Sequence, residues 1–224
     1  MSTPVTARPS GGRTSRRRIP ARWTAAAAAA ALLAAIGLST EYRSPETAAA
    51  AGPKKFDAAA FGAEMYESKV VPAIEKDAVD LPVLVEALVA DKDAAGEKYG
   101  RRQGTSPYSF PVKGTGEAGE AKSGLLPVTV PGLPEGTRVS LQIGPAINGT
   151  ALRDAAGFIT FGQFLNQVEY ADAATSLNNQ MRERLLKNLD VAGLKGKKIS
   201  FTGAFTLLSP SVVTITPVSV EEAS

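Results

Sequence analysis

The chain contains neither cysteine nor histidine. Those two absences exclude a cysteine nucleophile, a Ser-His-Asp triad, a zinc site built on Cys or His, and any disulfide framework. Polar chemistry is left to carboxylates, Arg, Lys, Tyr, hydroxyls and amides. A phosphate-cradling loop is also missing, because Gly114-Thr115-Gly116 has no helix N-terminus behind it. The residues therefore predict no cofactor and no metal. Acidic residues are absent from the first 40 positions, which carry six arginines (Arg8, Arg13, Arg16, Arg17, Arg18, Arg22). Removing these six from the 25 basic residues leaves 19 against 22 acidic ones, so the +3 net charge belongs to the tail and the remainder is acidic. A basic footprint for nucleic acid is not expected on the folded part.

At 224 residues there is room for one domain and its appendages. Residues 1–22, rich in Arg, Pro, Gly and Ser, read as a disordered cytoplasmic basic tail. Residues 23–42 begin with an Ala/Leu/Ile run from Trp23 to Leu38 that carries no charge. One reading is a signal anchor bounded by Trp23 and Tyr42; the other is a cleavable secretory signal with small residues at Thr47-Ala48-Ala49-Ala50-Ala51. The anchor is favoured, since those alanines lie far from the apolar run. Ser15-Arg16-Arg17 faintly resembles a twin-arginine signal, interrupted by Pro20. In each case the arginines stay cytoplasmic and the domain after the 43–55 linker is exported.

The folded part, 56–224, starts helical. Asp57 is an N-cap with a Phe56/Phe61 staple, and Pro72 is expected to limit that helix. Asp80 is expected to cap a second helix with Leu81, Leu84, Val85 and Leu88 on one face. A third helical turn runs from Asp91 to Gly100. Strands are predicted over 108–113, 122–130, 137–143, 197–208 and 211–220. A Thr160/Gln163 capping box is expected to open a long helix running to Leu189, with a break near Ala171 and an end at Gly193 and Gly196. Three strands, a helix, then two strands is the order of an OB-like, five-stranded, partly open barrel. The fold class is thus α+β, with N-terminal helices beside the barrel; a generic α+β sandwich or a partial barrel is the alternative.

The unusual polar residues gather in 144–167, after the strand Val139-Ser140-Leu141-Gln142-Ile143. Asn148-Gly149 favours a tight turn and Thr150 can cap the helical turn carrying Arg153 and Asp154. An arginine fork there suits a carboxylate or phosphate, and Asp154 can accept from sugar hydroxyls or orient the Arg. The candidate ligand- or partner-binding set is Asn148, Thr150, Arg153, Asp154, Asn166, Gln167 and Glu169. A structural reading competes: Arg153 pairs with Glu169, and Asn148, Asn166 and Gln167 satisfy backbone at the barrel mouth. Phe158, Phe161 and Phe164 read as core. The acids Asp154, Glu169 and Asp172 match no catalytic spacing. The aromatic-basic loop Tyr99-Gly100-Arg101-Arg102 with Tyr108 reads as a solvated connection.

From about Phe56 to Glu221 the chain resembles a bacterial domain-of-unknown-function family of predicted periplasmic lipoproteins. The resemblance rests on Lys69-Val70-Val71-Pro72, Tyr99-Gly100-Arg101-Arg102, Ser106-Pro107-Tyr108, Val112-Lys113-Gly114-Thr115-Gly116, Gln142-Ile143-Gly144-Pro145, Gly149-Thr150-Ala151-Leu152-Arg153-Asp154, Asn166-Gln167-Val168-Glu169-Tyr170 and Phe201-Thr202-Gly203-Ala204-Phe205. It implies an exported, membrane-tethered, OB-like protein. Members are often encoded beside sugar ABC importers, which implies ABC transporter subunits as partners and a small sugar-like ligand. Lacking cysteine, this chain departs from the lipid-modified pattern, so its apolar segment would be the tether. The expected function is non-catalytic and accessory to carbohydrate uptake. Alternatives are a stand-alone small-molecule-binding domain and, more remotely, a carboxylate-based hydrolase.

Overall fold

The computed structural model describes residues 30–38, 55–209 and 211–223. The chain divides into two units, Met1–Lys54 and Lys55–Ser224. In the first, residues 30–38 form a helix. Among the described residues no helix is long and apolar enough to cross a membrane. The other residues of the expected apolar segment lie outside the described ones.

The second unit opens with α1 (Ala58–Met65), in which Asp57 accepts from the Ala60 N–H at 3.0 Å as the sequence predicts. Phe56 and Phe61 meet at 5.5 Å between ring centroids. Pro72 does not stop the helix. A π-helical turn (Tyr66–Val70) intervenes, and α2 (Val71–Asp77) continues with Pro72 in its first turn. The Val71 N–H bonds back to the Tyr66 carbonyl, so the register has already widened where the proline ring would have clashed. After the two-residue strand β1 (Val79–Asp80) comes α3 (Leu81–Ala90). Asp80 makes no side-chain capping bond there, and Pro82 occupies the first turn, where a missing N–H costs nothing. Leu81, Leu84, Val85 and Leu88 are buried as their spacing requires. Asp91 caps α4 (Lys92–Tyr99), which stops at Gly100.

The barrel strands are β2 (Ser109–Ala118), β3 (Leu125–Thr129), β4 (Arg138–Gln142), β5 (Lys198–Thr206) and β6 (Val212–Glu222). Their order is β2-β3-β4-β6-β5, and β5 pairs back onto β2. The barrel is therefore closed, with β1 added in parallel beside β2. β4 and β6 run parallel; the other barrel pairs are antiparallel. The β2–β3 seam is thin, with only Glu117↔Thr129 and Ala118↔Val128 paired. β2 runs five residues past its expected end because Gly114 and Gly116 are strand positions. A Cβ on Gly116 would lie 2.4 Å from the Thr129 carbonyl oxygen, so glycine permits the strands to close there.

Two apolar cores share the barrel wall. Phe110, Leu126, Leu141, Phe201, Phe205 and Ile215 fill the interior, closed over by Leu81, Leu84 and Leu88 of α3. Phe110 and Phe205 stack at 5.4 Å. Outside the wall, Ala204 and Val218 pack on Tyr66, Val70 and Ile74, on Leu152 of α5 (Ala151–Ala155), and on Leu177 and Met181 of α6 (Gln167–Arg184).

The long helix differs from its expected limits. The Thr160/Gln163 pair closes only a 3-10 turn, Phe161–Gln163, and Asn166 caps α6 by accepting from the Glu169 N–H at 3.0 Å. There is no break near Ala171. α6 ends at Arg184, nine residues before Gly193, and 3-10 turns at Leu186–Asn188 and Ala192–Leu194 carry the chain to β5.

Candidate functional site

A cleft of about 810 Å³ opens at one end of the barrel. Its walls come from three places far apart in sequence. The start of β3 and the loop before it supply Ser123, Gly124 and Leu125; the end of β4 and the following loop supply Gln142, Gly144, Pro145, Ala146, Asn148, Gly149 and Ala151; the end of β5, its turn into β6 and β6 itself supply Thr206, Leu208 and Thr214. In an OB barrel, the loops joining the first and second strands and the fourth and fifth strands flank the usual ligand face. Here these are the β2–β3 and β5–β6 connections, and both reach the cleft.

Gln142 shapes this cleft. Its side-chain amide donates to the Asn148 carbonyl at 3.0 Å and to Thr216 Oγ1 at 2.9 Å, and its oxygen accepts from the Asn148 N–H at 2.9 Å. Two groups on α6 secure the same loop from behind. Asn178 Nδ2 donates to the Gly149 carbonyl at 2.9 Å, and Arg182 Nη1 to the Pro145 carbonyl at 2.9 Å. The loop conformation is thus fixed before any ligand arrives, which reduces the ordering cost of binding. At the opposite wall Gly144 and Gly124 nearly touch: a Cβ on Gly144 would fall 2.7 Å from the Gly124 Cα. Thr206 is occupied by Ser109, hydroxyl to hydroxyl at 2.7 Å. Within the described chain, the Ser123 and Thr214 hydroxyls and the Asn148 side-chain amide make no hydrogen bond, so they are the polar groups the cleft can offer. None of the lining residues is ionisable.

The sequence-predicted residues divide. Asn148 lines the cleft; Thr150, Arg153 and Asp154 do not. Arg153 is 7% exposed, with its side chain directed into the core between barrel and helices. It does not pair with Glu169. Its Nη2 lies 2.7 Å and its Nε 2.8 Å from Asp154 Oδ1, while Nη1 donates to the Tyr170 carbonyl at 2.8 Å. The guanidinium stacks 3.4 Å from the centre of the Tyr170 ring. Thr150 makes no bond to the helix backbone; its hydroxyl donates to Asp154 Oδ2 at 2.5 Å. Burial raises the Tyr170 phenol above its ordinary range, partly offset by the Arg153 charge. This arrangement spends the Arg153 fork on the chain itself. Adjacent Asp154, rather than Glu169, takes the arginine because Glu169 is occupied four residues upstream, accepting from the Leu165 N–H at 3.0 Å. Asn166 serves as the α6 cap, and Gln167 is exposed.

Phe158 and Phe164 pack against the outer core, whereas Phe161 remains 40% exposed beside Tyr170. The aromatic-basic loop is tied down: Arg101 pairs with Asp77 at 3.1 Å and Arg102 lies 4.2 Å over Tyr108. Asp154, Glu169 and Asp172 do not line the cleft. Among the described residues no group of acids could hold a metal ion.

Ser123, Gln142 and Thr214 were not distinguished by sequence. Gln142 carried the only local signal, as a polar residue ending an alternating strand just before Gly144-Pro145.

This geometry defines a small α+β protein on a closed OB barrel with a preformed, uncharged cleft at the barrel end. It is similar to a solved OB-fold protein from Thermotoga maritima MSB8, at 24% identity and a TM-score of 0.62, over 76% of this chain and all of that one. The chain belongs to the DUF2291 family, described as predicted periplasmic lipoproteins, whose model matches residues 26–221. Membership places it among extracytoplasmic, membrane-associated proteins. No curated protein matches it.

Proposed function

We propose that the protein is a non-catalytic, extracytoplasmic accessory of a carbohydrate ABC uptake system, and that the barrel-end cleft takes a small neutral sugar-like ligand or a transporter subunit presenting it. The observation that carries this reading is the cleft wall: hydroxyls and amides over an apolar floor, with no ionisable side chain. Such a wall suits a polyhydroxylated neutral molecule and offers neither a general acid–base pair nor a counter-charge for an anion. The transporter association comes from the family resemblance. With no cysteine in the 224 residues to carry a lipid, the apolar run within 23–42 is the tether, with the domain outside the cytoplasm.

The test is affinity purification of the full chain from its own membranes in mild detergent, beside Ala146→Trp, which fills the cleft from an exposed loop position. Transporter subunits recovered with the parent and lost with the variant support the proposal. Recovery undiminished by the variant assigns the contact to another surface, and recovery of no subunit under conditions that keep known membrane complexes intact overturns the accessory role.

A further inference from the structure

One hydrogen bond in the cleft wall has its direction set by burial. Ser109 begins β2 and Thr206 ends β5, and the two are Cα partners across the antiparallel ladder. Their hydroxyl oxygens lie 2.7 Å apart, a separation at which either could donate. Their surroundings differ. Ser109 is 0% exposed, whereas Thr206 is half-buried and lines the cleft. The backbone N–H and carbonyl of Ser109 are both paired with Arg101. Among the described residues the Ser109 side chain bonds to Thr206 alone.

A hydroxyl carries one proton and two acceptor lone pairs. If Thr206 donated, the Ser109 proton would be left inside the protein with no acceptor, and a buried donor left unsatisfied forfeits its solvation. If Ser109 donates, the Thr206 proton is the one left over, and solvent in the cleft can satisfy it. Ser109 is therefore the donor and Thr206 the acceptor. The bond consumes one of the pair's two protons and leaves the Thr206 O–H free on the cleft side. It joins the Ser123, Thr214 and Asn148 groups as something the cleft presents, but it differs from them. Ser123 and Asn148 stand on loops and the Thr214 hydroxyl is unrestrained, whereas the Thr206 oxygen is held on a barrel strand by a buried neighbour. Accepting a bond also polarises a hydroxyl, so that it donates more strongly.

We propose that Thr206 is the donor that anchors a ligand oxygen in the cleft, and that Ser109 is its positioning residue, fixing and polarising that hydroxyl from the buried side. This rests on the reading that the cleft takes a neutral polyhydroxylated ligand. It adds that the ligand turns an acceptor oxygen, a hydroxyl, ring ether or carbonyl, toward the end of β5.

Two readouts test it. The full chain, labelled with carbon-13 at serine and threonine, is held in detergent micelles in equal parts of light and heavy water. There a slowly exchanging hydroxyl splits its Cβ signal into two lines and a fast one gives a single averaged line. Ser109 should show two lines and Thr206 one, each assigned by its loss in Ser109→Ala or Thr206→Val. Two lines for Thr206, or one for Ser109, overturn the direction of the bond and the proposal with it. The second readout is thermal unfolding of the full chain against glucose, galactose, xylose and ribose. Thr206→Val strands the Ser109 proton and should lower the starting Tm; Ser109→Ala/Thr206→Val removes both partners and should restore much of it. Both variants should raise the half-saturating sugar concentration about tenfold, as loss of one hydrogen bond does. Ser109→Ala alone should raise it less, since the Thr206 hydroxyl remains but is no longer held, and Thr206→Ser should recover most of the binding. A sugar response unchanged in the double variant makes the pair purely structural and overturns the anchor while leaving the cleft reading intact. No saturable response of the parent to any of these sugars refutes the sugar reading and, with it, the anchor.

Discussion

Replacing Arg153 by methionine tests whether that arginine belongs to the core or to a binding site. Its guanidinium lies 2.7 Å from Asp154, donates at 2.8 Å to the Tyr170 carbonyl and stacks 3.4 Å from the Tyr170 ring centre. The side chains of Arg153 and Asp154 are only 8% and 14% exposed. Methionine preserves much of the packing volume but leaves the Asp154 carboxylate buried without its cation and the Tyr170 carbonyl without its donor. Breaking one side of such a pair costs about 3–5 kcal/mol. For a domain of this length that lowers Tm by roughly 10 °C. Urea unfolding of the full chain reads the loss. Asp154→Ala should cost a similar amount, and the double variant should fall short of the sum by about 1–3 kcal/mol, because the second change removes a charge already stranded. Cleft binding should survive in the fraction that folds. An Arg153→Met protein within about 0.5 kcal/mol of the parent would refute the structural assignment.

Further outcomes concern the cleft and the buried tyrosine. Gln142→Ala removes three hydrogen bonds to the loop and to Thr216; it should cost about 1–3 kcal/mol by urea unfolding and weaken ligand binding by releasing the loop. Gly144→Ala forces a methyl against the Gly124 backbone and should destabilise by about 1–3 kcal/mol. Tyr66 buries a hydroxyl with no hydrogen-bond partner among the described residues, and burial pushes its phenol above the ordinary value near 10. The folded state therefore favours the neutral phenol. That stability is fully present below about pH 10 and declines above it, as the unfolded chain ionises first. Tyr66→Phe should be up to about 1–3 kcal/mol more stable at neutral pH, with a shallower alkaline decline in chemical unfolding; a less stable variant would show an undetected partner for the hydroxyl.

Much of the fold was legible because it rests on local periodicity. Leu81, Leu84, Val85 and Leu88 recur at helical spacing, and the five barrel strands alternate between well-marked turns. The order of strands and helix then suggested an OB-like barrel, whose strand order and closure of β5 onto β2 come from the structure. Pro72 and the Thr160/Gln163 pair misled for the same reason: each is a valid local signal overruled by its surroundings. A π-turn absorbed the proline, and the better cap, Asn166, lay six residues beyond Thr160. The candidate site was half legible. The stretch after β4 was singled out, and Asn148 from it lines the cleft, whereas Thr150, Arg153 and Asp154 do not. Arg153 was expected either to offer its fork to a ligand or to pair with Glu169; it is held instead by adjacent Asp154 and by Tyr170, which supply the neutralisation that allows burial. Ser123 and Thr214 could not be read from sequence, since only barrel closure brings the β2–β3 and β5–β6 connections to the same opening.

Whether the cleft receives a neutral polyhydroxylated ligand can be read from thermal unfolding of the full chain against neutral mono- and oligosaccharides, with sugar phosphates and sugar acids alongside. A ligand at a hundred times its Kd adds about 2.7 kcal/mol, or roughly 5–10 °C at this domain size. A neutral sugar should give a saturable rise that is abolished by Ala146→Trp and reduced by Thr214→Ala and Asn148→Ala, while Arg153→Met keeps it from a lower starting Tm. A rise only with charged sugars, or one that persists in Ala146→Trp and disappears in Arg153→Met, would contradict the neutral-ligand reading.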